Sequence, residues 1–226
     1  MKLIAITLFA VAAMSVQHAS AGDLIVEANR GNIFLRTSHG EAKQLTNSGR
    51  DSAPVLSPDA HWIVFIRALP GKEISTGIGD IPAAELWRIS VSGKNLTRLV
   101  APRAAENMQN VIANFDSVQF STDGRYVFFV TPAYATSGAV HVVDTTNGKE
   151  RFLMGGGGVE VIQSGEYRDC LLVGQHRHFI GGGSYDWLWL FRPDGKEIGP
   201  VGEDATKFKE LFVSDTKKLQ NKREPK

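Results

Sequence analysis

Leu56-Ser57-Pro58-Asp59-Ala60-His61-Trp62-Ile63-Val64-Phe65 recurs in degenerate form as Phe120-Ser121-Thr122-Asp123-Gly124-Arg125-Tyr126-Val127-Phe128-Phe129. Each copy reads as the end of a short strand, a tight turn on Asp with Ala or Gly, and then an almost unbroken apolar strand. The repeating unit is therefore a β-hairpin. A strand with one wet face alternates apolar and polar residues, so the continuous apolar arm means that both of its faces are covered, as when small sheets stack against one another.

Working outward from this hairpin, four strand types can be followed along the chain. Doubly apolar strands fall at 24–28, 62–66, 126–130 and 170–173. Each is followed by a second strand, at 32–36, 85–90, 139–144 and 187–191. A Gly-containing turn ends each second strand, at Gly40, Gly93, Gly148 and Gly195. More polar strands then follow at 42–46, 96–100, 150–154 and 196–201, and their polarity suits an outer edge. Strands before the apolar ones are expected at 54–57, 117–121 and 159–163, with a fourth at 210–214 that has no hairpin partner after it. The turn glycines recur at roughly 50-residue intervals, the period of propeller blades with loop insertions. The expected fold is all-β, a β-propeller of four blades with four antiparallel strands each. Its ring would be closed by pairing the N-terminal strand 24–28 with the C-terminal strand 210–214.

Lys2, an apolar run over 3–16 and Ala19-Ser20-Ala21 together have the charged, apolar and small-residue regions of a secretory signal. A signal peptide over 1–21, a propeller domain over 22–215 and a basic, disordered tail over 216–226 follow as expectations, with the product secreted or periplasmic. The apolar run is shorter than the ~20 residues that span a bilayer, so no membrane span is expected. Cys170 is the only cysteine, which excludes an internal disulfide. Within Cys170-Leu171-Leu172-Val173 it reads as a small buried hydrophobe. The net charge of +1 divides unevenly, because the tail carries Lys217, Lys218, Lys222, Arg223 and Lys226 against Glu224. The domain left behind is mildly acidic, which excludes the basic face of a nucleic-acid binder. A monomer is expected.

The run Gly31-Asn32-Ile33-Phe34-Leu35-Arg36, then Gln44-Leu45-Thr46-Asn47-Ser48-Gly49-Arg50-Asp51-Ser52-Ala53-Pro54 and Ser57-Pro58-Asp59, resembles the WD40-like repeat of the TolB-like propeller family. The likeness is strongest there and weaker at 121–129. It implies a propeller in the cell envelope with a protein partner, though not TolB itself. The same repeat type occurs in propellers of tricorn-type and prolyl-oligopeptidase-type peptidases, where catalysis belongs to a separate domain.

Chemistry-bearing motifs are sparse. Gly182-Gly183-Ser184-Tyr185-Asp186 lacks the last glycine of a nucleophile elbow, and Gly155-Gly156-Gly157-Gly158 lacks the Lys-Ser/Thr of a phosphate cradle and reads as a flexible connection. Asp59 and Asp123 occupy equivalent turns, where Asp bonds its own backbone. His176-x-His178 has a spacing that metal sites use, with Asp186 as a third candidate, but the reading preferred is a surface loop. No catalytic residue, metal or cofactor is assigned. Longer stretches at 68–84, 101–114, 131–137 and 174–186 exceed what hairpin closure needs, and long loops on a rigid scaffold are where binding residues sit. All four lie on one rim, that of the connections between sheets, and there Lys72, Ile78, His176, Arg177, His178 and Phe179 are the candidate binding residues, with Ile74 and Ile81 as further apolar contacts. The function expected is a non-catalytic protein- or peptide-binding module. The alternatives are a propeller enzyme of lyase or glycosidase type with a site at the channel mouth, and a structural component of an envelope complex.

Overall fold

The structure is a computed structural model that describes residues 24–37 and 40–213. The expected signal segment and the basic tail lie outside the described residues. Each apolar arm pairs with its chain neighbours, which gives four antiparallel meanders. The first holds β1 (Leu24–Asn29), β2 (Asn32–Thr37) and β3 (Lys43–Gln44). The second holds β4 (Asp51–Leu56), β5 (Trp62–Thr76), β6 (Gly79–Ser90) and β7 (Thr97–Val100). The third holds β8 (Asp116–Phe120), β9 (Tyr126–Thr131), β10 (Ala139–Asp144) and β11 (Glu150–Gly155). The fourth holds β12 (Gly158–Val161), β13 (Leu171–His178), β14 (Ser184–Phe191) and β15 (Glu197–Gly202).

The sheets stack face to face, with β4 beside β1 and β8, and β8 beside β12. Ile33, Leu35, Ile63, Phe65 and Ile89 fill the first interface. Val64, Leu86, Phe120, Val127, Phe129 and Val143 fill the second, and Phe128, Val140, Val142, Leu171, Val173 and Trp189 the third. In β9 and β10 alternate residues serve opposite interfaces, which is why both strands are buried almost end to end. The doubly apolar sequence thus has its cause in stacking.

The repeated turn is built alike in both copies. Ser57 Oγ donates to Asp59 Oδ1 at 2.5 Å and accepts from Trp62 N–H at 2.9 Å; Ser121 Oγ donates to Asp123 Oδ1 at 2.5 Å and accepts from Tyr126 N–H at 2.9 Å. Asp59 and Asp123 are turn residues, as read from the sequence. Ser57 is buried, so Ser57→Ala leaves the Trp62 N–H without its partner and is expected to lower stability by about 1–3 kcal/mol. Urea unfolding measures it, and a loss under about 0.5 kcal/mol would mean that the turn holds its shape through backbone bonds alone.

Three expectations need correction. The strand expected at 210–214 is not formed over its described residues, 210–213: residues through Phe212 belong to the helix α1 (Thr206–Phe212), the first sheet has three strands, and the sheets are not closed into a ring. The cause is the i, i+4 spacing of Phe208 and Phe212, which sets both rings against Tyr167 at 5.6 and 5.4 Å. Phe212 O also accepts from Glu166 N–H at 3.1 Å. This approach needs Gly165, with φ of 85°, because a Cβ there would stand 1.8 Å from Phe212 O. Second, 68–84 and 174–186 are not loops but mostly the extended ends of the β5–β6 and β13–β14 hairpins. Ile74 and Ala83, with Leu69 and Ile81 beside them, pack on Val111, Ala113 and Met108 of the connection 101–114. Ile74 and Ile81 are therefore core rather than contact residues. Third, the four glycines at 155–158 are not a flexible tether. A Cβ on Gly156 would lie 2.4 Å from Val173 Cγ1 and 3.1 Å from Val140 Cγ2, so the chain passes between the third and fourth sheets where only glycine fits.

Candidate functional site

The extended β5–β6 hairpin brings its tip over the neighbouring sheet. Gly77 N–H donates to Ala133 O at 2.7 Å, which seats the tip on the β9–β10 connection. That connection is itself closed by Tyr134 N–H donating to Ser137 O at 2.8 Å. The two loops leave Ile78 and Tyr134 with 54% and 38% of their surface exposed on one cavity of about 320 Å³, which Asp116, Thr131 and Pro132 complete. Thr136 and Gly157 also line a cavity of about 210 Å³ with His176, Asp186, Trp187 and Glu203. Ser137, Gln175 and His176 line one of about 350 Å³ with Met154, Arg177 and Glu197. Shared walls join these three into one trough that begins beside the β9–β10 connection, with Ile78 of the β5–β6 tip on it, and runs past β13 toward the turn at Gly195.

The candidate residues separate on this geometry. Ile78, His176 and Arg177 line the trough. His178 and Phe179 stand at the end of the β13–β14 hairpin, where the ring of His178 meets that of His176 edge-on at 5.1 Å. Phe179 begins an aromatic row, 4.6 Å from Tyr185, which lies 4.8 Å from Trp187. Lys72 is exposed in the irregular stretch of the β5–β6 ladder between Ala68 and Glu73 and does not line the trough. Tyr134, Tyr185 and Trp187 were missed in the sequence reading. Tyr134 and Tyr185 fall within the long stretches 131–137 and 174–186, whereas Trp187 opens the strand expected at 187–191.

Arg177 is held rather than free. Its Nε donates to Gln175 Oε1 at 2.9 Å, its Nη2 to Glu197 Oε2 at 2.5 Å, and its guanidinium carbon lies 3.4 Å from the Trp189 ring centroid. The fixed guanidinium and the apolar rings give the trough one stiff wall. His176 faces Asp186 across the β13–β14 ladder, with Nδ1 2.8 Å from Oδ1. Elsewhere, burial pushes the Cys170 thiol above its ordinary range, against the opposing charge of Arg192, so the thiol stays protonated and unreactive at neutral pH. Among the described residues no three or more His, Cys, Asp or Glu side chains are gathered as a metal-ligand set. No described helix is long and apolar enough to cross a membrane.

Four stacked antiparallel meanders with loops gathered on one rim define a propeller-type protein. Among solved structures the chain is similar to dipeptidyl peptidase 4 of Porphyromonas gingivalis, with a TM-score of 0.52 and 12% identity over 81% of this chain and 31% of that one. It is also similar to a putative TolB from Agrobacterium tumefaciens, with a TM-score of 0.50 and 13% identity over 75% of this chain and 56% of that one. At such identities the likeness shows the fold alone. The chain spans about a third of the first protein's length and just over half of the second's. No family model matches the chain, and no curated protein matches it.

Proposed function

We propose that this chain is a secreted or periplasmic, TolB-like propeller module that binds an extended protein or peptide segment along the trough. The observation that carries this reading is the docked β5–β6 tip, which holds Ile78 and Tyr134 exposed above a cavity while Gly77 ties the loop to Ala133. Ordering an exposed apolar loop costs entropy, and here the bond to Ala133 and the packing of Ile74 on Val111 have met that cost before any partner arrives. Exposed apolar side chains gathered beside a groove are what a binding surface shows. The TolB-like repeat and the secretory-type segment at 1–21 support the envelope setting.

The test is selection of peptides from a displayed random library on the immobilised chain, followed by affinity measurement with Ile78→Asp and Tyr134→Ala. Ile78 and Tyr134 are exposed, so both variants are expected to melt as the parent does. A convergent set of peptides whose affinity falls at least about tenfold in one variant is the expected result, the size of an interface hot spot. No convergent set, or convergent peptides that both variants bind unchanged, would remove the trough as the site.

A further inference from the structure

We infer that His176 and His178, with Asp186 behind them, form a site for a borderline divalent transition-metal ion such as Zn²⁺ or Ni²⁺, independent of the peptide reading. Residues two apart on a strand project from the same face, so β13 presents both imidazoles together. Their ring centroids lie 5.1 Å apart. A Zn–N bond of about 2.0–2.1 Å from each ring then needs only a turn of the His178 side chain, which is exposed at the strand end. The second feature is the carboxylate. Asp186 lies opposite His176 on β14 and holds its Nδ1–H at 2.8 Å. A histidine whose one nitrogen donates to a carboxylate has its tautomer fixed and its other nitrogen made more basic, which is the outer support that metal-bound histidines carry. Nε2 of His176 is left as the lone-pair donor. The cavity of about 210 Å³ beside His176 also holds Glu203, which adds negative charge.

Two imidazoles are the protein ligands, and water fills the remaining positions, so the ion exchanges readily. Imidazole nitrogens select Zn²⁺, Ni²⁺ and Cu²⁺ over Mg²⁺ and Ca²⁺, which take oxygen ligands.

Isothermal titration of the untagged chain with ZnCl₂ and NiCl₂ at neutral pH decides the matter. One saturable ion per chain is expected, with MgCl₂ giving none. His178→Ala is expected to weaken binding at least about tenfold, and Asp186→Ala by about 10–100-fold, the cost of losing an outer carboxylate. Both side chains are exposed, so both variants fold, and unchanged melting without metal checks this. Absence of saturable binding, or binding unchanged in both His176→Ala and His178→Ala, overturns the site. Loss in His178→Ala with none in Asp186→Ala overturns the role given to Asp186.

Discussion

Phe129→Ala is expected to destabilise the protein by about 3–5 kcal/mol, the cost of deleting a large aromatic side chain from a core that cannot collapse around the void. Phe129 is fully buried in β9 between the second and third sheets. Phe115 meets its ring edge-on at 5.0 Å, and His141 stacks on it at 5.4 Å with only 9° between the planes. His141 is also its cross-strand partner on β10, so that flank is fixed by the ladder and cannot move in. Small domains have about 5–15 kcal/mol in all, which makes this a large fraction of the whole. Urea unfolding followed by circular dichroism is the measurement. The midpoint should fall with the slope unchanged. A loss below about 1.5 kcal/mol would mean that the second and third sheets are loosely packed, and the stacked architecture would need revision.

What the sequence declares most clearly is the material of that interface. Val127, Phe128 and Phe129 leave no polar residue to face water, and the copy at Ile63, Val64 and Phe65 repeats the message, so doubly covered strands were legible. So was the Ser-x-Asp turn, because its hydrogen bonds are local. What escaped depends on partners far along the chain. In the β5–β6 hairpin, Gly71, Lys72 and Glu73 read as a loop; the stretch is strand because Val111 and Ala113, some thirty residues on, cover Ile74 and Ala83. Glu-Leu-Phe-Val-Ser at 210–214 has residues that suit a strand, and contact of Phe208 and Phe212 with Tyr167 decides for helix instead. The candidate site shows the same division. His176 and His178 could be placed on one face from spacing alone, and Asp186 could be suspected, but their bond follows from a register set by the whole β13–β14 ladder. No local pattern announces that His141 Nδ1 meets Glu150 at 2.5 Å while Arg103, from a distant connection, holds the other carboxylate oxygen at 3.0 Å.

The second large effect concerns Asp51. Asp51→Ala is expected to cost about 3–5 kcal/mol at neutral pH, because it strands a nearly buried guanidinium. Asp51 opens β4 and pairs in register with Arg67 on β5, whose Nε and Nη2 donate to its two oxygens at 2.6 and 2.9 Å. The Asp51 and Arg67 side chains are only 0% and 12% exposed, so solvent screening is weak. Arg67 also lies 4.7 Å from the Trp87 ring centroid, which holds it in place once the carboxylate has gone. Burial alone would raise the Asp51 pKa, but hydrogen bonds from Arg67, Ser48 and Thr46 together with the charge of Arg67 outweigh it, and the group titrates below its ordinary range. A carboxylate with a depressed folded pKa contributes stability that is fully present above the unfolded value of about 3.9 and is lost as pH falls through the folded value. The gap between parent and Asp51→Ala should therefore be constant from about pH 5 to 7 and narrow below about pH 4. Replacing both partners, as in Asp51→Leu with Arg67→Leu, should recover most of the loss, since no charge is then left unpaired. Urea unfolding of the three proteins at neutral and acid pH measures all of this. A gap under about 1 kcal/mol, or one that does not change on acidification, would show that water reaches the pair and that it behaves as a surface bridge.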